Sequence, residues 1–132
     1  MRSVVLLLLL LLGSTGAGAA GRTPLPAYES GVGERCVADT DYMRRNHMEL
    51  IRHQRDETVH RGIRTPRHSL RVCLGCHAVT ADGKPVRLDD PQHFCQSCHR
   101  YAAVEPDCFQ CHAGSPGPED VARAAALAGE LK

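Results

Sequence analysis

Three copies of one pentapeptide lie between residues 73 and 112: Cys73-Leu-Gly-Cys76-His77, Cys95-Gln-Ser-Cys98-His99 and Cys108-Phe-Gln-Cys111-His112. No other feature constrains the fold as tightly. Each reads Cys-x-x-Cys-His, the attachment signature of a c-type haem. The spacing has a mechanical reason. Two thiols bond the two vinyl groups on one porphyrin edge, and the next residue carries its imidazole under the iron as the proximal ligand. Paired Cys-x-x-Cys motifs also build zinc sites, and a lone one can act as a redox dithiol. Here His follows the second Cys all three times. With 8 His in 132 residues, three such coincidences have a chance of roughly 1 in 4,000 on composition alone. The sequence therefore predicts three covalently bound haem c groups. Their attachment pairs are Cys73 and Cys76, Cys95 and Cys98, and Cys108 and Cys111, with His77, His99 and His112 as proximal ligands.

Composition fixes what else can hold such a chain together. There are 132 residues, enough for one domain plus a leader. The 16 basic and 15 acidic side chains nearly cancel, so nothing argues for a nucleic-acid partner. The propionates of three haems would tip the holoprotein acidic. Trp is absent and aromatics make up 4%. Much of the apolar content is a Leu run near the start and Ala near the end. Residues 36–115 are too poor in large apolar side chains to bury a conventional core. Three porphyrins supply the missing apolar surface. The expected fold class is mainly α with much irregular structure, a small multihaem cytochrome c organised around three covalent haems. Its haem-free form should be largely unfolded, as when a metal supplies a small domain's folding energy.

In chain order, residues 1–20 read as a targeting segment. Arg2 supplies a positive start, Val4 to Leu12 an apolar run, and Ala17-Gly18-Ala19 a small-residue cleavage site. The run makes about 14 Å of helix, and about 25 Å if extended to Ala20, against a hydrocarbon core of about 30 Å. It is a cleaved signal peptide or a retained N-terminal membrane anchor. Either way the haem region lies outside the cytoplasm, in the periplasm and associated with the membrane. Residues 21–35 read as a linker. From Asp41 to about Arg61 there is no Pro or Gly, and Asp39 or Thr40 can cap a helix that Gly62 ends. This helix is polar for its length, so something other than aliphatic packing must stabilise it, and lying beside haem faces would do so. Each haem motif is expected in a short helical turn, and residues 81–85 in a turn between the first two. Only eight residues separate His99 from Cys108, so the second and third haems must be neighbours. The triheme domain spans residues 36–114. The tail, 115–132, opens with a Ser-Pro-Gly-Pro breaker and reads as a helix from Pro118, either docking on a partner subunit or frayed in solvent.

Three irons leave three distal positions. Candidates are His47, His53, His60, His68, His93, Met43, Met48 and Cys36. His47 and Met48 point about 100° apart on one helix and could serve two different haems. Met43 lies one turn before His47. His93, two residues before Cys95, can reach a neighbouring haem. Cys36 has no disulfide partner once six thiols are committed. It is a stray thiol or an axial thiolate.

The elements Cys36-Val-Ala-Asp and Met43-Arg-Arg-Asn-His47-Met48, followed by the three haem motifs, resemble the triheme cytochrome c subunits (J subunits) of Dsr transmembrane electron-transfer complexes. The likeness covers roughly residues 34–114. It implies an electron relay in a membrane complex of dissimilatory sulfur metabolism, in sulfur oxidisers or sulfate reducers. The implied partners are quinone-interacting membrane subunits and iron–sulfur subunits. It also implies mixed axial ligation, one His/Cys, one His/Met and one bis-His, which points to Cys36, Met48 (or Met43) and His47.

Two other functions follow from the same residues. A Cys36-ligated haem that exchanged its thiolate could do sulfur chemistry, making the chain an enzyme subunit. The six motif cysteines could instead hold structural zinc. If all three irons are six-coordinate there is no open position for substrate, and the electron-transfer reading leads.

Overall fold

The computed structural model describes residues 24, 26–28 and 31–130. The targeting segment expected over residues 1–20 lies outside them, as does part of the expected linker. The described chain is mainly helical. Helix α1 runs Thr40–Arg61. Helix α2 is Leu70–His77, α3 is Phe94–Tyr101 and α4 is Pro118–Glu130, with a 3-10 turn at Asp107–Gln110. No strand occurs among the described residues. One isolated bridge, Val79 to Pro85, closes the turn after α2, where Gly83 takes φ 78. No described helix is long and apolar enough to cross a membrane.

Both ends of α1 follow from local chemistry. The Asp39 carboxylate accepts from the Tyr42 N–H at 2.9 Å, satisfying one of the orphan donors at a helix start. Gly62 sits at φ 69, in the left-handed region. There its N–H reaches the Thr58 carbonyl at 3.1 Å while Ile63 N–H reaches that of Glu57 at 3.2 Å, which satisfies carbonyls of the last turn. Between the ends lie intrahelical ion pairs such as Arg61–Glu57, 3.2 Å, each contributing a few tenths of a kcal/mol. None of the helix's residues is buried. Its own side chains give it little to pack with.

The core is small and lies elsewhere. It consists of Val72, Leu74, Ala78, Val79, Val86 and Ala124. The only extensive helix–helix packing among the described residues is α2 against α4. Close approach is possible because Gly75 has no side chain: a Cβ there would lie 2.4 Å from the Asp120 carbonyl oxygen and 2.8 Å from Ala124 Cβ. Arg71 adds a polar clasp, its Nε donating to Asp120 at 2.7 Å, with Glu119 a second carboxylate partner. Over this face the tail is not frayed. It packs on its own chain.

The second half of the expected linker is irregular in backbone yet firmly docked. Val32 N–H donates to the Cys76 carbonyl at 2.9 Å. Gly31, at φ 78, lies so close that a Cβ would come within 1.8 Å of that oxygen. Gly33 faces Ala128. This strap ties the N-terminal segment across the end of α2 to α4.

Candidate functional site

All three motifs fold into single turns. In α2 and α3 the helical period places Cys, Cys and His of each motif within an arc of about 100°. The two intervening residues point the other way. In α2 these are Leu74 and Gly75, both buried. In α3 Ser97 is buried, its hydroxyl donating to the Pro91 carbonyl at 2.8 Å. The third motif reaches the same form by a tighter route, with His112 N–H bonded to the Cys108 carbonyl at 2.9 Å. Every motif therefore carries two thiols outside any disulfide and one imidazole, with Cys76 Sγ donating to the Ala124 carbonyl of α4 at 3.8 Å.

The thiols lie close enough to feel one another. Burial pushes the Cys73 thiol up to about 12, with Cys95, Cys76 and Cys36 adding to the shift. Burial likewise raises Cys95 to about 11, and Cys98 and Cys108 add to it. Cys76 is raised by burial and by Cys36. Electrostatic reach thus links motif one to motif two, motif two to motif three, and Cys36 to motif one. Arg44 on α1 opposes the burial that raises Cys98, so α1 runs past motif two.

His47 faces that same motif. Its ring centre is 6.0 Å from the ring centre of His99, with planes 85° apart. Two imidazoles sharing one metal through bonds of about 2 Å have ring centres about 6 Å apart. His47 Nδ1–H donates to the Met43 carbonyl at 3.0 Å. That bond fixes the tautomer and leaves Nε2 as the lone-pair nitrogen, the arrangement usual for ligating histidines. Burial, with His47 beside it, lowers the pKa of His99, which favours the neutral, metal-binding form.

The remaining candidates divide. Met43 is half-buried, whereas Met48, His53, His60 and His112 are exposed. His68 takes φ 61, its Nε2 is buried with no hydrogen-bond partner, and burial lowers its pKa. His93 is corrected from a possible ligand to a staple. It is fully buried, Nε2–H donating to the Gly114 carbonyl at 2.8 Å and Nδ1 accepting from Gln96 N–H at 3.4 Å. Neither nitrogen is left for a metal.

Haem fits this arrangement on three counts. The attachment triplets share common arcs, the His47 ring lies 6.0 Å from that of His99, and α1 buries none of its own residues and so has a flank to offer a porphyrin. Tetrahedral zinc would need converging donors, and no three His, Cys, Asp or Glu side chains converge on one point among the described residues.

Among curated proteins the chain is similar to a cytochrome subunit. The Hdr-like menaquinol oxidoreductase cytochrome c subunit of Archaeoglobus fulgidus is 28% identical over 108 residues, covering 73% of this chain and 66% of that protein. The chain thus spans just under two thirds of the relative's length. No protein-family model matches it, and no solved structure does.

Residues the motif reasoning missed lie outside the motifs. Phe94 stacks on the His77 ring and Tyr28 packs edge-on against Phe94. The only sequence signal was scarcity: the chain has 2 Phe and 3 Tyr.

Proposed function

We propose that the chain is a triheme c-type cytochrome relaying electrons within a membrane-bound, quinol-linked oxidoreductase complex. The observation that carries the reading is the set of three adjacent Cys-x-x-Cys-His turns, one of them faced by His47 at ligand distance. Haem supplies one-electron iron chemistry, and the chain's residues bind the porphyrins and tune them. His77, His99 and His112 hold the irons from the proximal side. His47 completes the second site. Cys36, within electrostatic reach of Cys73 and Cys76, completes the first. Met48, with Met43 as second choice, is the ligand left for the third.

The name of the Archaeoglobus relative supports membership of a menaquinol-linked complex. The partners are then quinone-interacting membrane subunits and iron–sulfur subunits. A role in dissimilatory sulfur metabolism rests on the Cys36 and Asn46-His47-Met48 elements and their resemblance to the Dsr triheme subunits. The haem domain works in the periplasm, held at the membrane by its N-terminal segment or by its partners.

The test is haem content by mass spectrometry, followed by low-temperature EPR of the oxidised protein and of Cys36→Ser. Three haems and three low-spin signals are expected, one with the compressed g-spread of thiolate ligation that the substitution abolishes. Fewer than three haems would sink the triheme reading. Three haems with signals indifferent to Cys36→Ser would remove the thiolate ligand and leave a carrier with His and Met ligation.

A further inference from the structure

We infer that Phe94 is a positioning residue that sets the plane of the His77 imidazole and locks the first haem-attachment motif against the second. The inference rests on the reading above that both motifs carry haem. The Phe94 ring lies 4.3 Å from the His77 ring, centre to centre, with 24° between the planes. Tyr28 packs edge-on against Phe94 at 4.7 Å and 78°. Offset stacking and edge-to-face contact are the two geometries in which aromatic rings attract. Phe94 therefore holds the imidazole while Tyr28 holds Phe94.

Place in the chain turns this contact into a link. Phe94 is the first residue of α3 and is bonded directly to Cys95, the first thioether position of motif two. His93, just before it, packs edge-on against Phe109 at 6.2 Å and 85°, and Phe109 lies between the cysteines of motif three. The dipeptide His93-Phe94 thus touches motif one with one side chain and motif three with the other, while its chain runs into motif two. Of the 5 Phe and Tyr residues in the chain, Tyr28, Phe94 and Phe109 all serve these contacts.

A positioning role is needed because rotation of an axial imidazole about its metal bond is soft unless something fixes the ring. His47 is fixed by its bond to the Met43 carbonyl. At His77 the stacked Phe94 face bears directly on the ring plane. The plane of an axial imidazole affects the g-values of a low-spin iron, so the role has a spectroscopic signature that a purely structural contact lacks.

The experiment compares oxidised holoprotein EPR for wild type, Phe94→Leu and Phe94→Tyr. Phe94→Leu keeps apolar bulk but removes the flat face. It should displace or broaden one of the low-spin signals, leave the others in place, and shift the reduction potential of that haem. Phe94→Tyr, which keeps the face, should restore the wild-type signal. Unchanged g-values in Phe94→Leu with all haems retained would overturn the inference, as would an equal disturbance of every signal. If Phe94→Leu does not assemble, Tyr28→Leu provides the comparison: it should broaden the same single signal, and a spectrum identical to wild type would overturn the inference. Wild-type protein with fewer than three haems would instead defeat the relay reading itself, so the two failures are told apart by the haem count.

Discussion

On the triheme reading single residues decide ligation, and the sharpest case is His47. Its Nε2 is free only because Nδ1–H is spent on the Met43 carbonyl. We expect His47→Ala to leave one iron five-coordinate, giving a high-spin signal and carbon monoxide binding on reduction, with low-spin character restored by added imidazole. An unchanged low-spin spectrum would exclude His47 as a ligand. Gly31 is the second decisive position. Any side chain there must adopt φ 78, which costs about 1–2 kcal/mol, and must displace the Cys76 carbonyl as well. Gly31→Ala should therefore lower the thermal midpoint of the holoprotein, whereas the same change at Gly62, where a Cβ meets nothing, should cost only the left-handed strain.

Among elements, α1 and the α2–α4 pair differ in how they are held. The α2–α4 contact depends on shape more than charge. Gly75→Ala must push Ala124 and the Asp120 backbone aside, an overpacking worth about 1–3 kcal/mol. Arg71→Ala removes a clasp whose guanidinium is largely exposed, and surface ion pairs contribute about 1 kcal/mol or less. Thermal melts of the two holoprotein variants should rank them in that order; the reverse would mean the clasp, not the close approach, holds α4. Local chemistry made these elements legible in advance. Asp39, Gly62 and Pro118 mark their helix ends in the sequence, because caps act over three or four residues. The strap at Gly31 and the Tyr28–Phe94–His77 stack carry no such mark. Each joins segments tens of residues apart through one side chain, or the lack of one, and no periodic pattern records that. His93 shows the same limit: its position beside Cys95 suggested reach toward a haem, and only the distant Gly114 carbonyl reveals where its second nitrogen goes.

For the whole molecule, the question is what makes the chain fold. Among the described residues the core holds four aliphatic side chains larger than alanine, Val72, Leu74, Val79 and Val86, too few to fold this domain unaided. Chain made without haem should therefore show no cooperative thermal transition by circular dichroism, and haem attachment should create one. A sigmoidal melt of the haem-free chain would contradict this. The helical class and the motif positions were readable because a Cys-x-x-Cys-His pattern is a local, fixed spacing. The way the motifs meet was not, because it runs through single side chains, Phe94 on His77 and His93 on Phe109, that join separate segments.

The unburied flank of α1 has one more consequence. On the triheme reading, the helix has few contacts beneath it beyond the edge of motif two until the porphyrins are in place, and a segment that opens freely is what proteases cut. A cell that synthesises this chain faster than it can complete it makes a substrate for degradation. Immunoblots of haem-starved cells should show the chain vanishing while its message persists, its abundance metered by porphyrin supply rather than by translation.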